Sequence, residues 1–90
     1  MGQFKDVEGD NRFEQEFDGD KGSGLVWADY AVKGDARIIL HVEAEPSLRG
    51  SGAAGRFMQS LADHARQTGL KLFPRCSYAV AWHKRHPDYD

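Results

Sequence analysis

The sequence predicts an α+β fold in which a three-strand antiparallel meander continues into a β-α-β unit, with a splayed parallel strand pair and a C-terminal helix. Three observations carry this reading. Alternating or β-branched stretches between residues 12 and 44 are separated by glycine-bearing turns. The small-residue run Arg49-Gly50-Ser51-Gly52-Ala53-Ala54-Gly55 stands directly before a helical pattern. A short fourth apolar stretch and a second helical pattern follow.

Residues 1–11 are polar and acidic and are expected to form a loose arm or a short edge strand. Residues 12–17 alternate, with Phe13, Gln15 and Phe17 on one side and Glu14 and Glu16 on the other. Residues 18–24 read as a turn-rich loop, and residues 25–32 as a second strand rich in Trp, Tyr and Val. Lys33-Gly34-Asp35 forms a tight turn, because glycine accepts the positive φ required there. Residues 37–44 make the third strand. Its alternation sets His41 and Glu43 on one face and Ile38, Leu40, Val42 and Ala44 on the other.

Phe57, Met58, Leu61, Ala62 and Ala65 recur at helical spacing, while Arg56, Gln59, Asp63 and Arg66 take the opposite face. Gly69 caps this helix. Residues 70–75 form the fourth strand. Cys76 or Ser77 opens a second helix packed through Tyr78, Ala79, Ala81 and Trp82 and stopped by Pro87. Neither a repeat nor a linker interrupts the pattern, so residues 1–90 are expected to be one domain.

A chain of 90 residues buries only a modest core. Its 40% apolar and 29% charged residues are ordinary for a soluble globular protein. No apolar run reaches membrane-spanning length and no leader pattern opens the chain. Asp6 stands where myristoylation after Met1-Gly2 requires Ser or Thr. Cys76 is the sole cysteine and cannot form an internal disulfide, so a reducing compartment, the cytoplasm, is expected. Residues 1–48 carry five Lys/Arg against eleven Asp/Glu, and residues 49–90 carry seven against three. The basic half therefore begins at the glycine run, which suits an anionic ligand, although an unevenly charged solvated surface accounts for it equally well. Nucleic acid is disfavoured, because basic residues are not clustered among aromatics and the pI is near 6.0.

Small residues at a helix N-terminus leave successive backbone N–H groups uncovered. Together with the helix dipole they bind phosphate or pyrophosphate, here with Arg49 at the entrance. Strands joined through a helix run parallel with a right-handed crossover. Pro74 in the fourth strand and Glu45-Pro46 after the third end the pairing at corresponding levels. The strands then part in a wedge, with open backbone groups around Val42 and Ala44 to which an extended amide-containing ligand can add like a strand.

Pyrophosphate at the turn and an amide-rich chain beside it describe coenzyme A. Here the sequence resembles the GNAT superfamily of N-acetyltransferases, whose loop Q/R-x-x-G-x-G/A is matched by Arg49, Gly52 and Ala54. The likeness extends to the minimal YjdJ-type subgroup over roughly residues 10–90. Its features read here as His41, Leu48-Arg49-Gly50-Ser51-Gly52, Pro74-Arg75-Cys76-Ser77-Tyr78 and His86-Pro87-Asp88-Tyr89. Two positions depart from it: Val42 replaces a frequent Thr, and Ala53-Ala54 replaces a bulkier aliphatic residue. The resemblance implies a GNAT-like fold and an acetyl-CoA-dependent N-acetyltransferase acting on an amine, without a metal. It implies that acetyl-CoA is held by Val42, Ala44, Arg49, Gly50, Ser51, Gly52, Ala53, Ala54 and Gly55. Arg85 or Lys84 would meet the 3′-phosphate, or form a solvated helix end. The N-terminal substrate-binding elements of larger acetyltransferases have no room here, so the acceptor is unread.

Acetyl transfer to an amine needs a held thioester, a base for the amine proton and an acid for the leaving thiolate. His41 and Glu43, sharing a strand face beside the loop, are candidates for the base and its orienting partner; the alternative is a polar, exposed sheet face. Cys76, opening a helix next to Arg75, is placed where a thiolate is favoured and could carry the acetyl group covalently. Direct attack, the usual route of the superfamily, would leave it a small packing residue. Tyr78 is an alternative acid or a core residue. His83 and His86 lack further ligands at supporting spacing, so no metal site is expected. His64 receives no role. Two rivals stand beside the enzyme: a non-catalytic CoA or acyl-CoA sensor, and a generic phosphate-binding domain that prefers nucleotides. Trp27 and Tyr30 could serve an interface or the core, so the oligomeric state is open.

Overall fold

The alternating stretches become one five-stranded sheet, ordered β1-β2-β3-β4-β5, in a computed structural model that describes residues 2–86. The strands are β1 (Lys5–Val7), β2 (Arg12–Gly19), β3 (Gly22–Lys33), β4 (Ala36–Ala44) and β5 (Lys71–Pro74). The helices are α1 (Ala53–Thr68) and α2 (Ser77–Arg85), with 3-10 turns at Glu8–Asp10 and Pro46–Leu48. β1 to β4 form an antiparallel meander, and β5 lies parallel to β4. The stop expected at Pro87 lies outside the described residues.

Both helices pack on one face of the sheet. Phe13, Phe17, Val26, Ala28, Tyr30 and Ile39 from the strands meet Phe57, Met58 and Leu61 of α1 and Ala79 and Trp82 of α2 in one buried cluster. The helical spacing of the α1 residues makes this possible, since positions three and four apart share a face. Gly69, at φ 74°, closes α1, and its N–H bonds the Ala65 carbonyl. Residues of the opposite sheet face, including Arg12, Trp27, Asp29, His41 and Phe73, lie outside the cluster.

The β2–β3 hairpin is longer than its side-chain pattern predicts. Pairing continues to Gly19↔Gly22, so residues 18–24 are mostly strand rather than loop. The small and polar residues there fit because the Pro46–Leu48 turn lies against them. A Cβ on Gly24 would come 2.6 Å from the Ser47 Oγ, and one on Gly19 would come 3.1 Å from the Ser47 carbonyl oxygen. The Ser47 hydroxyl donates to the Ser23 carbonyl at 3.1 Å, and the Leu25 N–H donates to the Glu45 carboxylate at 2.6 Å. These contacts anchor the segment leading into the glycine run.

A bulge corrects the alternation expected for β4. His41 opposes Asp29 and Ile39 opposes Tyr30, leaving Leu40 as an extra residue. Ile39 is fully buried while Leu40 is 49% exposed, and Val42 and Ala44 pack against the core. Ile38 and Leu40 therefore do not share the inner face with Val42 and Ala44. One inserted residue reverses the period-two parity. His41 and Glu43 do share a face as expected, paired with Asp29 and Trp27 on the open side.

Of the two expectations for the N-terminal segment, the short edge strand holds: β1 pairs with β2 at the sheet edge and the segment is pinned rather than loose. The Phe4 ring lies 5.6 Å from Phe13, 5.7 Å from Phe57 and 5.0 Å from His64. The Tyr30 hydroxyl donates to the Asp6 carboxylate at 2.6 Å. Burial first, then the Asp6 hydrogen bond and charge, push the Tyr30 pKa up to about 12 against a weak opposing pull from Arg37. Above pH 10 the unfolded chain releases this proton while the folded chain keeps it, so stability is lost as pH rises from 10 to about 12. Urea unfolding across that range is expected to give a steeper decline for the parent than for Tyr30→Phe.

Candidate functional site

The glycine run folds into a turn at the start of α1 that exposes its amides. Gly50 and Gly52 take φ of 77° and 78°, the left-handed region that residues with a Cβ rarely occupy. A Cβ at either position would meet nothing within 4 Å, so backbone conformation rather than crowding demands glycine, and the space above is open. Ser51 ties the turn internally. Its hydroxyl donates to the Leu48 carbonyl at 2.6 Å and accepts from the Ala53 N–H at 3.2 Å. The Arg56 guanidinium donates to the Ser51 carbonyl at 3.3 Å. Among the described residues, the N–H groups of Gly50, Gly52, Ala54 and Gly55 carry no intrachain bond. Four free amides at a helix N-terminus, with exposed Arg49 at the entrance, form an anion cradle.

Beside this turn the parallel strands part. β4–β5 pairing covers only Ala36↔Lys71 to Ile39↔Pro74. The Arg75 and Cys76 N–H groups then converge on the single Ile39 carbonyl, at 2.9 and 3.2 Å, as the chain turns away. Farther along β4, the Glu45 N–H bonds the Leu25 carbonyl on β3. Antiparallel alternation accordingly turns the backbone groups of Val42 and Ala44 away from β3, toward the gap. No strand among the described residues lies opposite them.

The candidate chemical groups fall on two sides of the sheet. His41 Nε2 and the Glu43 carboxylate lie 3.2 Å apart on the open face, both more than half exposed. Cys76 is the N-cap of α2, and its Sγ accepts the Ala79 N–H at 3.3 Å while the side chain packs against the core. No hydrogen bond joins the thiol to His41 or Glu43 among the described residues. Tyr78 lies beside the glycine turn, its hydroxyl 3.8 Å from where a Cβ on Gly55 would stand. Burial raises its pKa above 10.0, with Arg85 opposing and Cys76 adding to the rise, so the phenol is protonated at neutral pH and can donate.

A groove of about 440 Å³ extends the cradle between α1 and α2, lined by Gly52, Gly55, Arg56, Tyr78, Arg85 and His86 among others. Arg85, expected from the sequence as a phosphate contact, lines this groove, and Arg56 and His86 join it there. Arg56 belonged to a solvated helix face, and His86 enters through its ring, stacked on Trp82 at 4.1 Å. His64, on the polar side of α1 by pattern, packs against Phe4. No group of three or more metal-ligating side chains gathers among the described residues, and no helix among them is long and apolar enough to cross a membrane.

A glycine turn with free amides beside parted parallel strands, on a sheet covered by helices on one face, is the arrangement set against known proteins. Residues 12–90 match the profile described as GCN5-related N-acetyl-transferase, and the chain belongs to that family. The fold is similar to the solution structure of a GCN5-like N-acetyltransferase candidate from Staphylococcus aureus. The TM-score is 0.59 at 23% identity, over 97% of this chain and 82% of that one. No curated protein matches the chain.

Proposed function

We propose that the protein binds acetyl-CoA and transfers the acetyl group to an amine. The observation that carries this reading is the continuity of three features: the cradle of free amides, the unpaired β4 edge and the groove between the helices. Their order suits one ligand with a pyrophosphate, an extended diamide arm and a phosphorylated nucleoside. The pyrophosphate would take the Gly50, Gly52, Ala54 and Gly55 amides, with Arg49 supplying charge and Ser51 and Ala53 fixing the turn. The amide arm would pair with Val42 and Ala44 as an added strand. Arg56 and Arg85 would meet the 3′-phosphate.

The bound coenzyme supplies an acetyl thioester; the protein supplies position and protons. His41, oriented by Glu43 at 3.2 Å, would take the amine proton on the open face. The amine nitrogen forms the N–C bond as the C–S bond breaks, and a proton from Tyr78 ends on sulfur. The separation of Cys76 from His41 favours this direct route over an acyl-cysteine, in which His41 would have to serve the thiol.

Calorimetric titration is expected to give saturable acetyl-CoA binding and none with ATP. No acetyl-CoA binding, or equal affinity for both, would overturn the reading. With an acceptor in hand, His41→Ala should lower kcat about 10²–10⁴-fold at unchanged acetyl-CoA affinity, the range expected for a lost general base. Cys76→Ala should retain turnover; its complete loss would establish the covalent route instead.

A further inference from the structure

The open face of the sheet carries a second concavity directly below the point where β4 and β5 part. It encloses about 350 Å³ and is lined by Lys33, Ala36, Ile38, Phe73, Pro74 and Arg75. That volume is at the small end of sites for small molecules, roughly 300–1,000 Å³. Its floor is the Ile38↔Phe73 rung, next to the last rung of the parallel pairing, and Phe73 is 53% exposed.

Position links the hollow to the chemistry. Ile38 opposes Ala31 and His41 opposes Asp29, both on the face away from the core, so the hollow and the His41–Glu43 pair share that face across the bulge at Leu40. The thioester end of an arm lying along β4 arrives between them. The helices cover the other face, leaving this one for an acceptor to approach.

Charge selects the occupant. The hollow is apolar within and has two cations, Lys33 and Arg75, at its rim, with no carboxylate among its lining residues. On this face of β3 and β4 the carboxylates are engaged, Asp29 by Arg12 at 3.2 Å and Glu43 by His41 at 3.2 Å, while Glu14 and Glu16 stand farther off on β2. A polyamine or a lysine side chain would find apolar surface and like charge. An apolar substituent in the hollow and a carboxylate at Arg75 match the lining and leave the amine at the mouth, toward His41.

We infer that this hollow is the acceptor subsite and that the acceptor is a free α-amino acid with a large apolar side chain, an inference that rests on the acetyl-transfer reading above. The deprotonated α-amino nitrogen forms the N–C bond to the acetyl carbonyl. The electron pair of the broken C–S bond and one proton end on sulfur, giving the N-acetyl amino acid and free coenzyme A. Arg75 is then a specificity residue and Phe73 the apolar anchor.

The hollow is tested first without turnover. Titration of the isotope-labelled protein with L-phenylalanine is expected to shift the Ile38, Phe73 and Arg75 amide resonances saturably, and the Ile38 and Arg75 shifts should need roughly tenfold more ligand in Phe73→Ser. Thiol release from acetyl-CoA is then compared for L-phenylalanine, spermidine and a lysine-containing peptide. L-phenylalanine should lead by roughly tenfold or more in kcat/KM, the scale on which apolar pockets discriminate. Phe73→Ser and Arg75→Gln should each raise its KM about tenfold while calorimetric acetyl-CoA affinity holds. Absence of the resonance shifts, or preference for spermidine or the peptide, overturns the inference whether or not acetyl-CoA binds. Failure of the acetyl-CoA titration alone overturns the parent reading and leaves the resonance shifts to decide the hollow.

Discussion

Replacing Gly52 with glutamate is expected to abolish acetyl-CoA binding and to destabilise the fold together. At φ 78° any Cβ is strained, at a cost of about 1–3 kcal/mol. The new side chain also enters open space, since nothing lies within 4 Å of its first carbon, and this is the space proposed for the pyrophosphate. A carboxylate there replaces attraction by repulsion. Losing two charge-assisted hydrogen bonds of about 1.5–3 kcal/mol each predicts binding weaker by at least roughly a hundredfold. Gly52→Ala separates the two effects: it carries the strain without the charge. Its melting temperature should fall like that of the glutamate variant while much more of the calorimetric affinity survives. Equal acetyl-CoA affinity in Gly52→Glu and the parent would remove the turn from the binding site.

Truncating Phe57 should have the largest effect on stability. The side chain is fully buried in the cluster joining α1 to the sheet, and its ring meets that of Phe4 at 5.7 Å. Phe→Ala at such a site costs about 3–5 kcal/mol, a large share of the roughly 5–15 kcal/mol available to a small protein. At about 4–8 °C per kcal/mol for a domain of this size, thermal melting should shift down by 12 °C or more. Phe57 also follows the cradle by one turn of helix, so acetyl-CoA affinity should fall with the folded fraction, recovering at low temperature. A melting shift under about 4 °C would mean that α1 is not held by this cluster.

Much of the fold was legible because its signals are local. The recurrence of Phe57, Met58, Leu61, Ala62 and Ala65 defines a helix and its buried face within one short segment. Gly34 and Gly69 mark turns by conformations that glycine adopts without strain. The Gly50 and Gly52 turn could be read as an anion site for the same reason. The bulge at Leu40 was not legible, because its cause lies in the register with β3 rather than in β4. Nor was the pinning of the N-terminal segment, which depends on Phe4 and Asp6 meeting Phe13, His64 and Tyr30 across the sheet and α1.

The candidate site divides in the same way. Arg49 to Gly55 is a contiguous segment whose backbone conformation follows from its own residues. His41 and Glu43 are two apart on a strand, and their juxtaposition follows from period two. Their separation from Cys76, the groove between Arg56 and Arg85, and the hollow between Ile38 and Phe73 join residues far apart in the chain. By itself the sequence determined the strands, the helices and the glycine cradle, since propensity, periodicity and φ preference act over a few residues. Only the tertiary structure decided which edge of β4 stays open, which face each chemical group occupies and which face of the sheet the helices leave uncovered. Those depend on long-range pairing and packing, which no local pattern records.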